Sequence, residues 1–265
     1  MRVDSGDDAA VQVLLDLTQQ FYDEHRHLIK ESHGWRHARK VYEHACHALQ
    51  SCHQQLEATS CLEIQMAALL HDVDDSKYFD RPKTCKDLKK RYSNAVHILR
   101  LASVAESSVA SILFMIDQVS CSKNGNSVRL SITKDHSYHW LIPRWADRIE
   151  AVGARGVWRC YQYNQEHGAP LSSSLSPRPT TVDELWSYAT PERFEEYQQR
   201  GGSSTDMISH YYDKLLHVAC PPKDIVRNSY LEQRLQFSAK ELIEVCLHYG
   251  CTGVVDEDYI QSLKC

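Results

Sequence analysis

The stretch Met66-Ala67-Ala68-Leu69-Leu70-His71-Asp72-Val73-Asp74-Asp75-Ser76-Lys77 constrains this chain more than any other. The apolar run that opens near Leu62 predicts a helix from Leu62 to Asp75, apolar enough around its circumference to be buried. That helix runs straight into an adjacent His-Asp pair. An imidazole and a carboxylate delivered together to the end of a buried helix are costly unless something pairs with them. A divalent metal ion would do so, through an imidazole nitrogen and a carboxylate oxygen. The bland alternative is a polar helix C-terminus, with His71 near the negative end of the macrodipole. Asp75, three residues past Asp72, can project toward the same place.

The remaining composition narrows the class. The 265 residues suffice for one large domain or two small ones, and the formal net charge is −5. Acidic and basic residues are interspersed, so the basic footprint of a nucleic-acid binder is missing. An anionic substrate would need a local cationic pocket, because the global field does not attract it. The ten cysteines include no C-x-x-C pair, and no signal peptide is expected from the opening residues. Free thiols, a reducing compartment and a cytoplasmic location are expected. No apolar run approaches the roughly 18 residues needed to span a bilayer. Proline and glycine are few and strand-like alternation is scarce, so the expected fold class is all-α.

Taken in order, Asp8 to about Lys30 predicts a first helix through Val11, Leu14, Leu15, Tyr22, Leu28 and Ile29. His25 and His27 near its end read as solvated or capping residues. Ser32 and Gly34 suit a turn that opens a second helix, with Val41, Ala45, Ala48 and Leu49 inward. His37 shares that inward face, whereas His33, His44 and His47 do not align with it and read as surface residues. After the His-Asp pair, Lys77 and Arg81 could hold a phosphate or simply be solvated. Helices are expected over Ser93 to Leu101 and Ser103 to Ser120, the second opened by a Ser103-Val104-Ala105-Glu106 capping box. His136 and His139 read as polar surface.

A second apolar helix follows, Trp140 to Gly153, with Asp147 inside its run and Leu141, Trp145, Ile149 and Val152 on its buried face. A buried Asp needs a metal or an Arg to neutralise it. Arg155 and Arg159 are expected to continue this helix, one turn apart, as a phosphate clamp or a salt-bridged pair. Gly168 to Thr181 is expected to be a mobile surface loop. Thr181 to Glu184 fits a capping box and Thr190-Pro191 an N-cap followed by N1 proline. The insert, about residues 168–205, suggests a lid or an interface. Lys214 lies on a helix over His210 to Leu216, as an anion contact or a solvated Lys. Ile225 to His248 predicts one long closing helix through Leu231, Leu235, Phe237, Leu242 and Val245, ended by Gly250. No linker divides the chain, so residues 1–265 are expected to be one domain.

These residues together resemble the HD superfamily of metal-dependent phosphohydrolases, and most closely its small bacterial nucleotide-hydrolysing members. The resemblance rests on Ser-His-x-x-x-His at Ser32 to His37, His-Asp-x-x-Asp-x-Lys at His71 to Lys77, the helix of Asp147 to Arg159, and Tyr-x-Lys-Leu-Leu at Tyr212 to Leu216. It covers roughly Val11 to His248. It implies an HD-domain helical bundle with one divalent ion (Mn, Fe, Co, Ni or Zn) on His37, His71, Asp72 and Asp147. The ion would lower the pKa of a bound water, and Asp75 could accept its proton or orient it. Lys77, Arg155, Arg159 and Lys214 would neutralise the phosphates of a small substrate, a nucleotide being the best guess. The long insert departs from the family pattern, and homo-oligomerisation stays open. Two rivals remain: a diiron oxygenase of HD type, for which His97, His136 and His139 would be the nearby ligands, and a non-catalytic nucleotide-binding protein.

Overall fold

The computed structural model describes residues 5–52, 56–80, 85–128 and 138–264, with the backbone alone for 5–8. Every regular element among the described residues is helical, so the all-α expectation holds. Arg81 and His136 lie outside the described residues. The chain divides into two compact units, one of residues 1–119 and 136–146, the other of 120–135 and 147–265.

The first unit is built around its most apolar helix. It contains α1 (Ser5–Glu24), a 3₁₀ turn (Glu31–His33), α2 (Trp35–Gln50), α3 (Ala58–Leu70), α4 (Leu88–Arg91), α5 (Ser93–Leu101) and α6 (Glu106–Val119). In α3, Ala67, Ala68, Leu69 and Leu70 are all buried, as an all-round apolar helix must be. It packs against α1, α2 and α6. On α2, His37, Ala38, Val41, His44, Ala45 and Ala48 form a buried stripe at helical spacing. His44 is therefore in the core rather than on the surface, one turn beyond Val41 on the same stripe. Helix α1 ends at Glu24, short of the expected Lys30, and Leu28 is left exposed. α3 starts and stops earlier than expected: it closes at Leu70, and His71 to Asp74 form a turn. Ser103 does not cap α6, since its φ is +56° and the helix starts at Glu106.

The second unit holds α7 (Cys121–Asn124), the end of α8 (Ile142–Ile149), α9 (Gly153–His167), α10 (Val182–Tyr188) and α11 (Pro191–Gln199). It continues with α12 (Met207–His210), a π-helical turn (Tyr211–Leu215), α13 (Leu216–Ala219), α14 (Ser229–Leu235), α15 (Lys240–Thr252) and α16 (Glu257–Ser262). Two expected helices are broken. Arg155 and Arg159 do not continue the helix of Asp147: α8 stops at Ile149 and α9 opens at Gly153, whose φ of +66° suits glycine. The closing helix splits between Leu235 and Lys240, where the Ser238 hydroxyl donates to the Leu235 carbonyl at 2.9 Å and competes with helical bonding. Phe237, in that break, is 74 % exposed instead of buried. α15 runs past Gly250 to Thr252, and Gly253 at φ +75° ends it.

The insert is anchored by two buried carboxylates. Asp206 accepts hydrogen bonds from the hydroxyls of Ser173 (2.8 Å), Ser176 (2.9 Å), Thr205 (2.9 Å) and Ser209 (2.9 Å) and from the Ser209 amide (2.7 Å). The Ser/Pro stretch expected to be mobile is thus tied to the start of α12. Asp213 pairs with Arg193 of α11 and, at 3.6 Å, with Arg200. Thr181 and Thr190 cap α10 and α11 as the sequence indicates. The nine cysteines within the described residues are free thiols. No helix among the described residues is long and apolar enough to cross a membrane.

Candidate metal centre

The end of α3 and the start of α2 deliver the site. His37 lies in the first turn of α2, turned inward by the stripe that holds Val41 and His44. His71 caps α3. Their Nε2 atoms are 3.2 Å apart, and Asp72 Oδ2 lies 3.3 Å from His71 Nε2 and 3.6 Å from His37 Nε2. The Ala68 carbonyl accepts from His71 Nδ1 at 2.8 Å. A carbonyl can only accept, so Nδ1 carries a hydrogen, and Nε2 is the ring nitrogen left to face an ion. Burial alone would push the Asp72 carboxyl up; positive charge on a protonated His71, and then on His37, outweighs it and holds Asp72 well below the usual carboxylate range, a charge that a bound ion would supply in their place.

The donor set fits a divalent ion. Ligand atoms about 2.0–2.2 Å from one ion, at angles between octahedral and tetrahedral, stand about 3–3.5 Å apart. The separations of 3.2 and 3.3 Å lie at that spacing and the 3.6 Å separation stands just beyond it. Two imidazoles and a carboxylate suit a borderline divalent metal. Among the described residues a second group, His33, Asp72 and Asp75, also has its ligand atoms within 4.8 Å of one another.

The His-Asp-Val-Asp-Asp run divides its three carboxylates among three tasks. Asp72 faces the histidines. Asp74 is buried and accepts the amides of Asn94 and Ala95, both at 2.8 Å, which ties the turn to the first turn of α5. The Asn94 side chain donates back to the Val73 carbonyl at 2.9 Å. Asp75 faces Lys77: its Oδ1 accepts the Lys77 amide at 2.9 Å and its Oδ2 lies 3.3 Å from Lys77 Nζ. Lys77 Nζ also donates to His33 Nε2 at 3.0 Å.

Of the expected site residues, His37, His71, Asp72, Asp75 and Lys77 come together in the first unit. Asp147, Arg155, Arg159 and Lys214 belong to the second unit. Asp147 is half-buried in α8. Arg155 is ion-paired with the buried Glu150, and Arg159 Nη1 donates to the Glu150 carbonyl at 3.4 Å. Lys214 is half-buried on the π-helical turn. Sequence reasoning passed over His33 and Asp74. His33 could have been found from its place in Ser-His-x-x-x-His; Asp74 carries no signal before α5 is placed beside it. His97 is exposed on α5.

An all-α fold with a converging His/His/Asp cluster defines this protein's class. No family model matches the chain. It is 32% identical over 230 residues to the uncharacterized protein L803 of Acanthamoeba polyphaga mimivirus, an alignment covering 82% of this chain and 88% of the viral one. The chain belongs to the family of that protein. Among solved structures it shares its fold with a Lactobacillus plantarum protein, at 19% identity and TM-score 0.63 over 90% of this chain and 95% of the other. The Lin1889 protein of Listeria innocua aligns at 16% identity and TM-score 0.50 over 96% and 94% of the two chains. A Bacillus thuringiensis chain described as an HD-superfamily hydrolase aligns at 20% identity and TM-score 0.47 over 94% and 93%.

Proposed function

We propose that this protein is an HD-type, metal-dependent phosphohydrolase that cleaves a small phosphorylated substrate, a nucleotide in the first instance. The observation that carries the reading is the convergence of His37 Nε2, His71 Nε2 and Asp72 Oδ2. A divalent ion held by these atoms would supply Lewis acidity and a lower pKa to a coordinated water. His71, held through Nδ1 by the Ala68 carbonyl, keeps Nε2 turned toward the ion. Asp72 stays ionised, which the cation requires. Asp75 takes up the proton of the attacking water. Lys77, 3.3 Å from Asp75, faces a phosphoryl oxygen of the substrate and offsets its charge. The family resemblance adds Asp147 to the ligands and Arg155, Arg159 and Lys214 to the phosphate contacts.

The test is metal analysis joined to a screen of nucleoside mono-, di- and triphosphates with product identification. Turnover that yields phosphate or pyrophosphate, needs added divalent ion and stops with a chelator supports the reading. Tight nucleotide binding without turnover at any metal would establish the non-catalytic rival instead. Two irons with oxygen consumption would establish the oxygenase.

A further inference from the structure

The second ligand group shares Asp72 with the first, and a positive charge already belongs to it. His33 Nε2, Asp72 and Asp75 have the composition of a second cation site beside the first. The ammonium of Lys77 sits on two of its three members, 3.0 Å from His33 Nε2 and 3.3 Å from Asp75 Oδ2. An ammonium only donates, so His33 Nε2 accepts. The other ring nitrogen of His33 lies 3.1 Å from the Ser32 hydroxyl, to which it donates in that tautomer.

This arrangement is set by local sequence. Lys77 is two residues past Asp75, and its own amide bonds Asp75 Oδ1 at 2.9 Å. That Asx-type turn brings the lysine side chain back over the carboxylate instead of sending it outward. The Lys77 side chain is 46 % exposed, and its ammonium nonetheless turns onto both the carboxylate and the imidazole.

We infer that Lys77 is a tethered replacement for a second metal ion: its ammonium fills the cation position made by His33, Asp72 and Asp75, and so keeps the centre mononuclear. The inference rests on the proposed metal centre at His37, His71 and Asp72 and deepens it. At that position a fixed single charge would face the substrate's phosphoryl oxygen where a binuclear hydrolase would place its second ion. A divalent ion brings more charge and its own water, so the lysine also limits which ion and how many ions the centre takes.

The experiment counts ions. Full-length parent, Lys77→Ala, Lys77→Met and the double variant Lys77→Ala/His33→Ala are loaded with Mn²⁺, freed of excess and measured by inductively coupled plasma mass spectrometry and by electron paramagnetic resonance. Circular dichroism confirms that each is folded, and the methionine variant keeps the lysine's apolar stem. Expected are one Mn²⁺ per chain in the parent and two in both single variants, with the exchange-coupled signal of a carboxylate-bridged pair. The double variant should return to one. Two ions in the parent, no gain in folded Lys77 variants, or a second ion that persists without His33 would overturn the inference. A parent that binds no ion would instead overturn the proposed centre, and that result is read from the parent alone.

Discussion

His37 Nε2 and His71 Nε2 face each other at 3.2 Å, although 34 residues separate them in the chain. Bringing two imidazole lone pairs to one point is favourable when a cation lies between them. Metal should therefore stabilise the fold through this pair. At a free ion concentration 100 times Kd the linkage gain is about 2.7 kcal/mol, or a Tm rise of about 5–10 °C for a chain of this size. Differential scanning fluorimetry with and without Mn²⁺ or Zn²⁺ should show that rise in the parent and lose it in His37→Ala. An equal rise in the variant would place the stabilising ion elsewhere.

Asp75 is assigned a proton rather than the ion. Asp75→Asn should keep its metal and nearly its KM while kcat falls by roughly 10²–10⁴, the range of a general acid–base group. The acidic limb of the pH–rate profile should change as well. Loss of the ion from this variant would make Asp75 a ligand or its support, and a kcat within a few-fold of the parent would remove it from the chemistry.

How much of this was legible depended on whether a residue obeys a helical period. His37 aligns with Val41 and so announced itself, and His71-Asp72 stood out at the end of an apolar run. His33 was passed over because it lies in a 3₁₀ turn ahead of α2, where the α-helical spacing does not apply. His44 failed for the opposite reason: its polarity hid a place on the buried stripe. The breaks between α8 and α9 and between α14 and α15 were missed because a single glycine φ and a single serine hydroxyl decide them. The anchored insert was illegible, since Asp206 gathers Ser173 and Ser176 across about thirty residues of chain.

Asp206 gives a pH-dependent prediction. Burial acts to raise its carboxyl, but the Ser209 amide and the hydroxyls of Ser173, Ser176 and Thr205 outweigh it and hold it below the usual range. A depressed folded pKa stabilises above the unfolded value, and that contribution is lost as pH falls through the folded value. Asp206→Asn should thus cost about 1.5–3 kcal/mol at neutral pH, the cost of losing charge-assisted hydrogen bonds. The gap to the parent should narrow below about pH 3.9. Hydrogen exchange across residues 168–180 should speed up in the variant at neutral pH. Unchanged exchange there would show that the insert is held by other contacts.

The thiols divide by burial. Cys246 is buried, and burial pushes its thiol up to about 12, whereas Cys251 is exposed. Iodoacetamide at pH 7.5 should modify Cys251 in the native protein and Cys246 only in denaturant, because the thiolate is the reactive form. Native labelling of Cys246 at a comparable rate would mean that α15 opens locally.

The metal content of His71→Ala tests the central claim most directly. Because His71 sits at the end of α3 and not within it, the variant should keep its helical content by circular dichroism. Purified parent should carry one divalent ion per chain by inductively coupled plasma mass spectrometry, and His71→Ala should carry none and hydrolyse no phosphorylated substrate. Stoichiometric metal retained in folded His71→Ala would contradict the account.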